Sequence, residues 1–297
     1  MRFTRLAALA AIPVALSLAA CAGDSTPAFT NATGQQANIR FVDGAPGLGA
    51  ISIYYASTGS TPNSPLVNSL SYGQATDFIP EPLAASQVSV RGAGTASTTT
   101  PAVGPCNIPQ LSNNAKYTIV IGGTGGTQSC YIYQDQDFTS ALQYRFHQAS
   151  PNAANVGTNV NFGYVTASGN NVPPPAPFTV QGAVALPASA TAPTGATVAV
   201  ANPNTIGLSA ASPVTYAYGP LGPAIGAQEA SVNTIGAQQA LSPNSYSQPN
   251  AGGTATLPSG FAGISVFALD CTVATVTAIP GARCLAGTTL VDYLDTK

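Results

Sequence analysis

In a chain of 297 residues the charged side chains amount to only 6%, against roughly 25% in ordinary globular domains, and the formal net charge is −2. Charges so sparse and so balanced give no basic surface for nucleic acid or anionic lipid. A hydrophobic content of 45% is still enough to build a core, which argues against a wholly disordered chain, and the length accommodates one or two domains.

The N-terminus opens with Arg2 and Arg5, followed by an apolar run to Leu16 and then Ser17-Leu18-Ala19-Ala20-Cys21. A positive start and a short apolar segment form a secretory signal peptide over residues 1–20. The segment is about 15 residues, short of the roughly 20 that a membrane-spanning helix needs, and Pro13 interrupts it. Leu18-Ala19-Ala20-Cys21 resembles the bacterial lipobox, which implies that the Cys21 thiol receives a diacylglycerol and becomes the first residue after cleavage. An ordinary cleavage beside an unrelated cysteine is the competing reading. Ala22, where aspartate would signal inner-membrane retention, implies the outer membrane of a Gram-negative cell envelope, with the membrane reached through the N-terminal lipid. Loss of Arg2 and Arg5 would take the net charge to about −4. Residues 21–37 carry Asp24, Ser25, Thr26, Pro27, Asn31 and Gly34 and read as a flexible tether.

Exported proteins sit in oxidising surroundings, so the remaining cysteines, Cys106, Cys130, Cys271 and Cys284, are disulfide candidates. Sequence alone leaves three pairings open. Cys106 with Cys130 and Cys271 with Cys284 is preferred, because each pair brackets a short run. A zinc site competes weakly, since there is no C-x-x-C and His147 is the single histidine.

From Asn38 onward the periodicity is two. Ile39-Arg40-Phe41-Val42 opens a strand, the turn Asp43-Gly44-Ala45-Pro46-Gly47 breaks it, and Ile51-Ser52-Ile53-Tyr54-Tyr55 alternates again. Val88-Ser89-Val90, Tyr117-Thr118-Ile119-Val120-Ile121 and Cys130-Tyr131-Ile132-Tyr133 follow, separated by Gly, Pro, Ser and Asn clusters at sandwich spacing. The nearest candidate for an amphipathic helix, Pro223 to Leu241, is weakened by its glycines.

Two stretches repeat. Ile39-Arg40-Phe41-Val42 to Pro46 matches Tyr144-Arg145-Phe146-His147 to Pro151, and each leads to an alternating strand, Ile51 to Tyr55 and Val160 to Tyr164. More loosely, Leu111 to Ile121 followed by Ile132-Tyr133-Gln134-Asp135 matches Leu257 to Phe267 followed by Leu290-Val291-Asp292-Tyr293. The expected fold is all-β: two tandem antiparallel β-sandwich domains of Ig-like or transthyretin-like type, over residues 38–138 and 139–297. The second carries a proline-rich insert over about 170–253, in which Thr197-Val198-Ala199-Val200-Ala201 reads as a strand.

Arg40-Phe41 to Pro46, Ile51 to Tyr55 and Tyr117-Thr118-Ile119-Val120 resemble the DUF4397 family of exported bacterial proteins. Arg145-Phe146 to Ser150-Pro151 and Val160 to Tyr164 carry the resemblance into the second copy, where Gly263-Ile264-Ser265-Val266 stands in for the Tyr-Thr-x-Val strand. The resemblance implies β-sandwich units and lipidated export, and no established activity.

Candidate chemistry is thin. Hydrolysis by an activated nucleophile needs a base, and His147 reads as a strand side chain on the face opposite Phe146. Asp135 and Asp137, two apart at a strand end, are read as sharing one face. That spacing would suit a carboxylate-dependent hydrolase, though such acids more often solvate an edge or hold calcium; Asp292 and Asp295 rate no higher. Gly122-Gly123-Thr124-Gly125-Gly126 lacks the lysine and helix of a phosphate loop and reads as a hairpin turn. Asn31-Ala32-Thr33 fits a glycosylation pattern that a bacterial lipoprotein makes irrelevant. Tyr54, Tyr55, Tyr131 and Tyr133, with Tyr216 and Tyr218, are candidates for stacking on a glycan or protein, with core packing as the alternative. No cofactor is expected. The expected function is a non-enzymatic envelope lipoprotein, a structural or binding module for protein or glycan. A secreted hydrolase and a calcium-stabilised adhesin are the alternatives.

Overall fold

Strands in this chain are built from short runs of alternating side chains punctuated by glycine. The computed structural model describes residues 34–60, 62, 64–96, 98–139, 143–151, 160–166, 179–184, 186–187, 198–205, 214–220, 261–276, 284 and 287–296. Cys21, the signal peptide and the stretch from Pro223 to Leu241 lie outside these residues.

The strands are β1 (Gln36–Gly44), β2 (Ile51–Ser57), β3 (Val67–Leu70), β4 (Ile79–Pro82), β5 (Ser86–Gly92), β6 (Val103–Ile108), β7 (Lys116–Gly122) and β8 (Ser129–Asp135). They continue as β9 (Gln143–Ala149), β10 (Val160–Thr166), β11 (Thr179–Val184), β12 (Val198–Ala201), β13 (Pro203–Thr205), β14 (Val214–Pro220), β15 (Phe261–Asp270) and β16 (Thr288–Thr296). One short helix, α1 (Val273–Val276), follows β15. The all-β reading holds. The described strands form four sheets: sheet I in the order β12-β8-β7-β1-β4, sheet II β3-β2-β5-β6, sheet III β13-β9-β15-β16 and sheet IV β11-β10-β14.

Alternation along β1 explains how the layers stack. Ile39 and Phe41 point toward sheet II, into a core with Ile51, Ile53, Val88 and Val90. Val42 points the other way, into a second core with Phe267, Leu269, Val291 and Tyr293 of sheet III. Sheet I is therefore covered on both faces. Each fully buried Ile or Phe contributes about 1.5–3 kcal/mol.

The expectation of purely antiparallel sheets is corrected. β1 runs parallel to β7, β12 to β8, and β9 to β15. The reason is connectivity. All of sheet II is made by chain lying between β1 and β7, and so long a crossover lets the returning strand pair in parallel.

β9, β15 and β16 repeat the arrangement of β1, β7 and β8. Arg40 is level with Thr118, and Thr118 with Tyr133; Arg145 is level with Ser265, and Ser265 with Tyr293. The counterpart of Tyr133-Gln134-Asp135 is thus Tyr293-Leu294-Asp295, two residues from the expected match. Ile264-Ser265-Val266-Phe267 answers Tyr117-Thr118-Ile119-Val120, one residue from the expected start at Gly263.

The insert is more than loop. It supplies β11 and β14 to sheet IV, and its expected strand is present as β12. β12 does not stay with the second unit, however: it pairs with β8 of sheet I, and β13 then pairs with β9 of sheet III. Val198 to Thr205 thereby ties the edges of two sheets together. Both preferred disulfides are formed. Cys106–Cys130 joins β6 to β8 with Cα atoms 6.0 Å apart, and Cys271–Cys284 closes the loop that holds α1.

Sheets I and III approach closely where side chains are missing. A Cβ on Gly122 would run into the carbonyl oxygen of Ala149, which is backbone and cannot rotate away. Gly122→Ala should therefore lower stability by about 1–3 kcal/mol in urea unfolding. Gly92→Ala, whose new methyl meets Thr95 Cγ2 at an ordinary 3.6 Å, should change it little.

Candidate functional site

Arg40 on β1 of sheet I alternates toward sheet III, and Arg145 on β9 of sheet III faces it from the other side. Both are buried, and they meet over the interface between the two sheets together with Asp135 at the end of β8 and Asp295 near the end of β16. Arg40 Nη1 lies 2.5 Å from Asp295 Oδ1, and Arg40 Nη2 lies 3.2 Å from Asp135 Oδ2. Arg145 Nη1 lies 3.5 Å from Asp135 Oδ2, and Arg145 Nη2 bonds Asp295 Oδ2. Each guanidinium thus touches both carboxylates. Hydroxyls fill the corners: Thr118 accepts from Arg40 and donates to Asp135 over 2.7 Å. Ser265 accepts from both arginines and donates to Asp295 over 2.5 Å. Exchanging Arg40, Thr118 and Asp135 for Arg145, Ser265 and Asp295 maps the four ion pairs and the two hydroxyl-to-carboxylate bonds onto one another.

Aromatic rings close it. Phe78 lies 4.8 Å from the Arg40 guanidinium, and Phe138 lies 4.3 Å from that of Arg145. His147 is sealed beside them, stacked on Phe267 at 4.4 Å and edge-on to Tyr133 at 4.9 Å. Its Nε2 is 2.8 Å from Asp135 Oδ1, so that nitrogen carries the proton and donates. Nδ1 faces the carbonyl oxygen of Val266 at 3.3 Å.

The electrostatics follow from burial set against partners. Burial opposes the charge on Asp135, but Arg145, His147 and Arg40 outweigh it and hold the carboxyl far below its usual range. Burial likewise opposes ionisation of Asp295, and Arg40 and Arg145 reverse that. For Arg40 the carboxylates of Asp295 and Asp135 outweigh burial and raise its pKa. His147 goes the other way: burial dominates and lowers its pKa, which leaves the ring neutral. The result is two cations, two anions and one neutral imidazole, compensated and out of water.

Two further buried acids lack such compensation. Asp43 accepts a hydrogen bond from the Ala45 amide through Oδ1, while Oδ2 has no partner; Glu81 Oε2 has none either. Burial pushes each carboxyl up to about 7.

The sequence candidates distribute as follows. Asp135 and Asp137 do not converge. Asp135 is enclosed between the arginines, whereas Asp137 lies beyond β8 with its side chain 78% exposed, paired to Lys116 at 2.9 Å. Tyr54, Tyr55, Tyr131 and Tyr133 are 3, 6, 3 and 0% exposed. They are packing residues and offer no ring face to a ligand: Tyr55 lies in the core between sheets I and II, Tyr131 and Tyr133 lie in the core between sheets I and III, and Tyr54 is covered on the outer face of sheet II. The Tyr54 hydroxyl donates to the Thr95 carbonyl, and Arg91 lies 4.5 Å over its ring. The side chains of Tyr216, Tyr218 and Asp292 lie outside the described residues. All four candidate thiols are used in disulfides, which removes the zinc reading. His147 is on the face opposite Phe146, as expected, and is fully buried.

Arg40 and Arg145 were legible only as the repeated Arg-Phe pair, and Asp295 as part of a Tyr-x-Asp shared with Tyr133 to Asp135. Together these residues invert the usual distribution of charge. Among the described residues Arg40, Asp43, Glu81, Arg91, Asp135, Arg145, Asp270 and Asp295 are buried, and Asp77, Lys116 and Asp137 reach solvent.

Compared with known families, residues 37–159 match the family described as "Domain of unknown function (DUF4397)", less than half of the chain. The matched stretch contains Arg40, Thr118, Asp135, Arg145 and His147 and stops short of Ser265 and Asp295. No curated protein matches the chain.

Two outcomes follow. Asp295→Asn leaves two guanidiniums facing one carboxylate in a dry interface and should cost about 3–5 kcal/mol in urea unfolding. Stability should also decline from pH 5 to pH 8. Asp43 and Glu81 have folded pKa values raised to about 7, so their contribution is complete below the ordinary carboxylate range and is lost as pH rises through 7. The double variant Asp43→Asn/Glu81→Gln should flatten that decline in melting curves recorded across the range.

Proposed function

We propose that the chain is a non-enzymatic lipoprotein of the bacterial cell envelope, held by lipid on Cys21, with the outer membrane favoured by Ala22. In this reading residues 38–138 and 139–297 are two DUF4397-type units, each an Ig-like β-sandwich, displayed on a tether as a structural and binding module for a protein partner.

One observation carries the non-enzymatic part. The groups able to do acid–base or nucleophilic work, His147, Asp135, Ser265 and Thr118, are spent on one another and on Arg40 and Arg145 in a site closed to substrate. A carboxylate-dependent hydrolase needs two carboxylates on an accessible face, and Asp135 and Asp137 occupy opposite environments. The recurrence of the β1-β7-β8 arrangement in β9-β15-β16 supports the second unit. A protein partner is preferred to a glycan because, of the candidate tyrosines, those among the described residues, Tyr54, Tyr55, Tyr131 and Tyr133, are buried.

Mass spectrometry of the protein isolated from membranes should find a diacylglycerol-modified Cys21 at the mature N-terminus. Cys21→Ser should move the protein out of the membrane fraction. A free thiol on Cys21, or unchanged membrane association of the serine variant, would count against the reading.

A further inference from the structure

We infer that the folded body is polar with respect to the bilayer. The end holding Gln36, Asn113, Lys116 and Asp137 faces the lipid. Loops 45–50, 93–102 and 123–128, with Cys271 and α1, form the face presented away from it. The inference rests on the reading of Cys21 as the lipid anchor and deepens it by naming which surface is displayed.

Strand direction carries the argument. β1 starts at Gln36, where the tether enters, and runs away from it, with β7 parallel. Sheet III is aligned the same way. At the entry end Arg40 meets Ser265 and Arg145 meets Asp135; at the far end Gly44 lies against Leu269 and Gly122 against Ala149. β9 and β15 therefore run outward alongside β1 and β7. Every turn that follows an outward strand, after Gly44, Gly122 and Asp270, lies at the far end, and the pairing of Ile51 with Gly92 brings loop 93–102 there as well. At the near end lie Asn113, which accepts a hydrogen bond from the Gln36 amide, and the Lys116–Asp137 pair.

Tether length then fixes the orientation. On the reading of residues 21–37 as a tether, the 14 residues between Cys21 and Gln36 would span about 20 Å. The nine residues of β1 rise about 30 Å. Bringing the far loops to the bilayer would require the tether to be stretched well beyond its usual span around the side of the body, at a cost in chain entropy. Residues 45–50, 93–102 and 123–128 contain no ionisable side chain, and Thr98, Thr99, Thr100 and Val273 are exposed.

The test uses the full-length lipidated protein in phosphatidylcholine vesicles that contain a lipid with a headgroup-level quencher. A fluorescent amino acid is incorporated at Asp137 in one preparation and at Thr98 in another. Quenching should be severalfold stronger at position 137, and a spacer of several tens of Gly and Ser residues in the tether should abolish the difference. Equal or reversed quenching in protein that floats with the vesicles overturns the polarity alone, as does a difference that survives the spacer. Failure to float overturns the anchor reading, and the inference falls with it.

Discussion

Two guanidiniums and two carboxylates buried between sheets set the terms for the rest of the molecule. Removing four charges from water is expensive, and only nearly complete pairing and hydrogen bonding offset it. Here Arg40 and Arg145 each reach both Asp135 and Asp295, and Thr118 and Ser265 take up remaining donors and acceptors. Such a cluster adds little over a well-packed apolar interface in stability, but it is demanding about position. If sheet III slid by a residue pair along sheet I, Arg145 would leave Asp135 and both ions would be stranded in a dry interface. Apolar contacts such as Val42 with Phe267 and Leu269 are tolerant of such a slide; the ions are not. The charges therefore specify how the sheets are set against each other, and Gly44 and Gly122 permit the close approach that this setting requires.

Among the described residues, committing charges inside leaves only Asp77, Lys116 and Asp137 at the surface. Exposed ion pairs contribute little to stability, and the one exposed pair among the described residues, Lys116 with Asp137, is of that kind. What holds the outer parts is covalent or backbone in nature: Cys106–Cys130 across the core of sheets I and II, Cys271–Cys284 at a loop base, and the passage of β12 and β13 from one sheet edge to the next. The chain thus uses strand addition and disulfides where proteins with more charged surfaces spread ion pairs.

The same facts explain what the sequence conveyed and what it hid. Alternation located β1, β2, β5, β7, β8 and β12, because strands need a two-residue period whatever covers them. It misjudged which faces are covered. Ile39-Arg40-Phe41-Val42 looks like a strand with one wet face, since a buried ion and an exposed one are the same letter; only the partners, 95 and 255 residues away in Asp135 and Asp295, distinguish them. His147 hid in the same manner. The repeat was legible at Arg-Phe but slipped by two residues at its end, because a slip of two preserves every side chain's face and leaves the hydrophobic pattern intact. Tyr54 and Tyr55 read as ligand-stacking candidates through composition alone, and their burial depends on neighbours distant in sequence, Arg91 and Thr95 for Tyr54 and Phe41 of sheet I for Tyr55.

Chain direction links the ionic interface to the way the loops are arranged. β8 returns antiparallel to β7, so the chain finishes its first unit at the end where it began it, beside Gln36. The next strand can then start only from that end, and β9 leaves in the direction of β1. β1 and β9 therefore leave from one end and stand alongside each other, and Arg40 and Arg145 are brought to the same two carboxylates. Had the first unit ended at its far side, Arg145 would have been carried a strand length from Asp135. The ionic cluster and the common orientation of the loops are therefore two consequences of one topological fact.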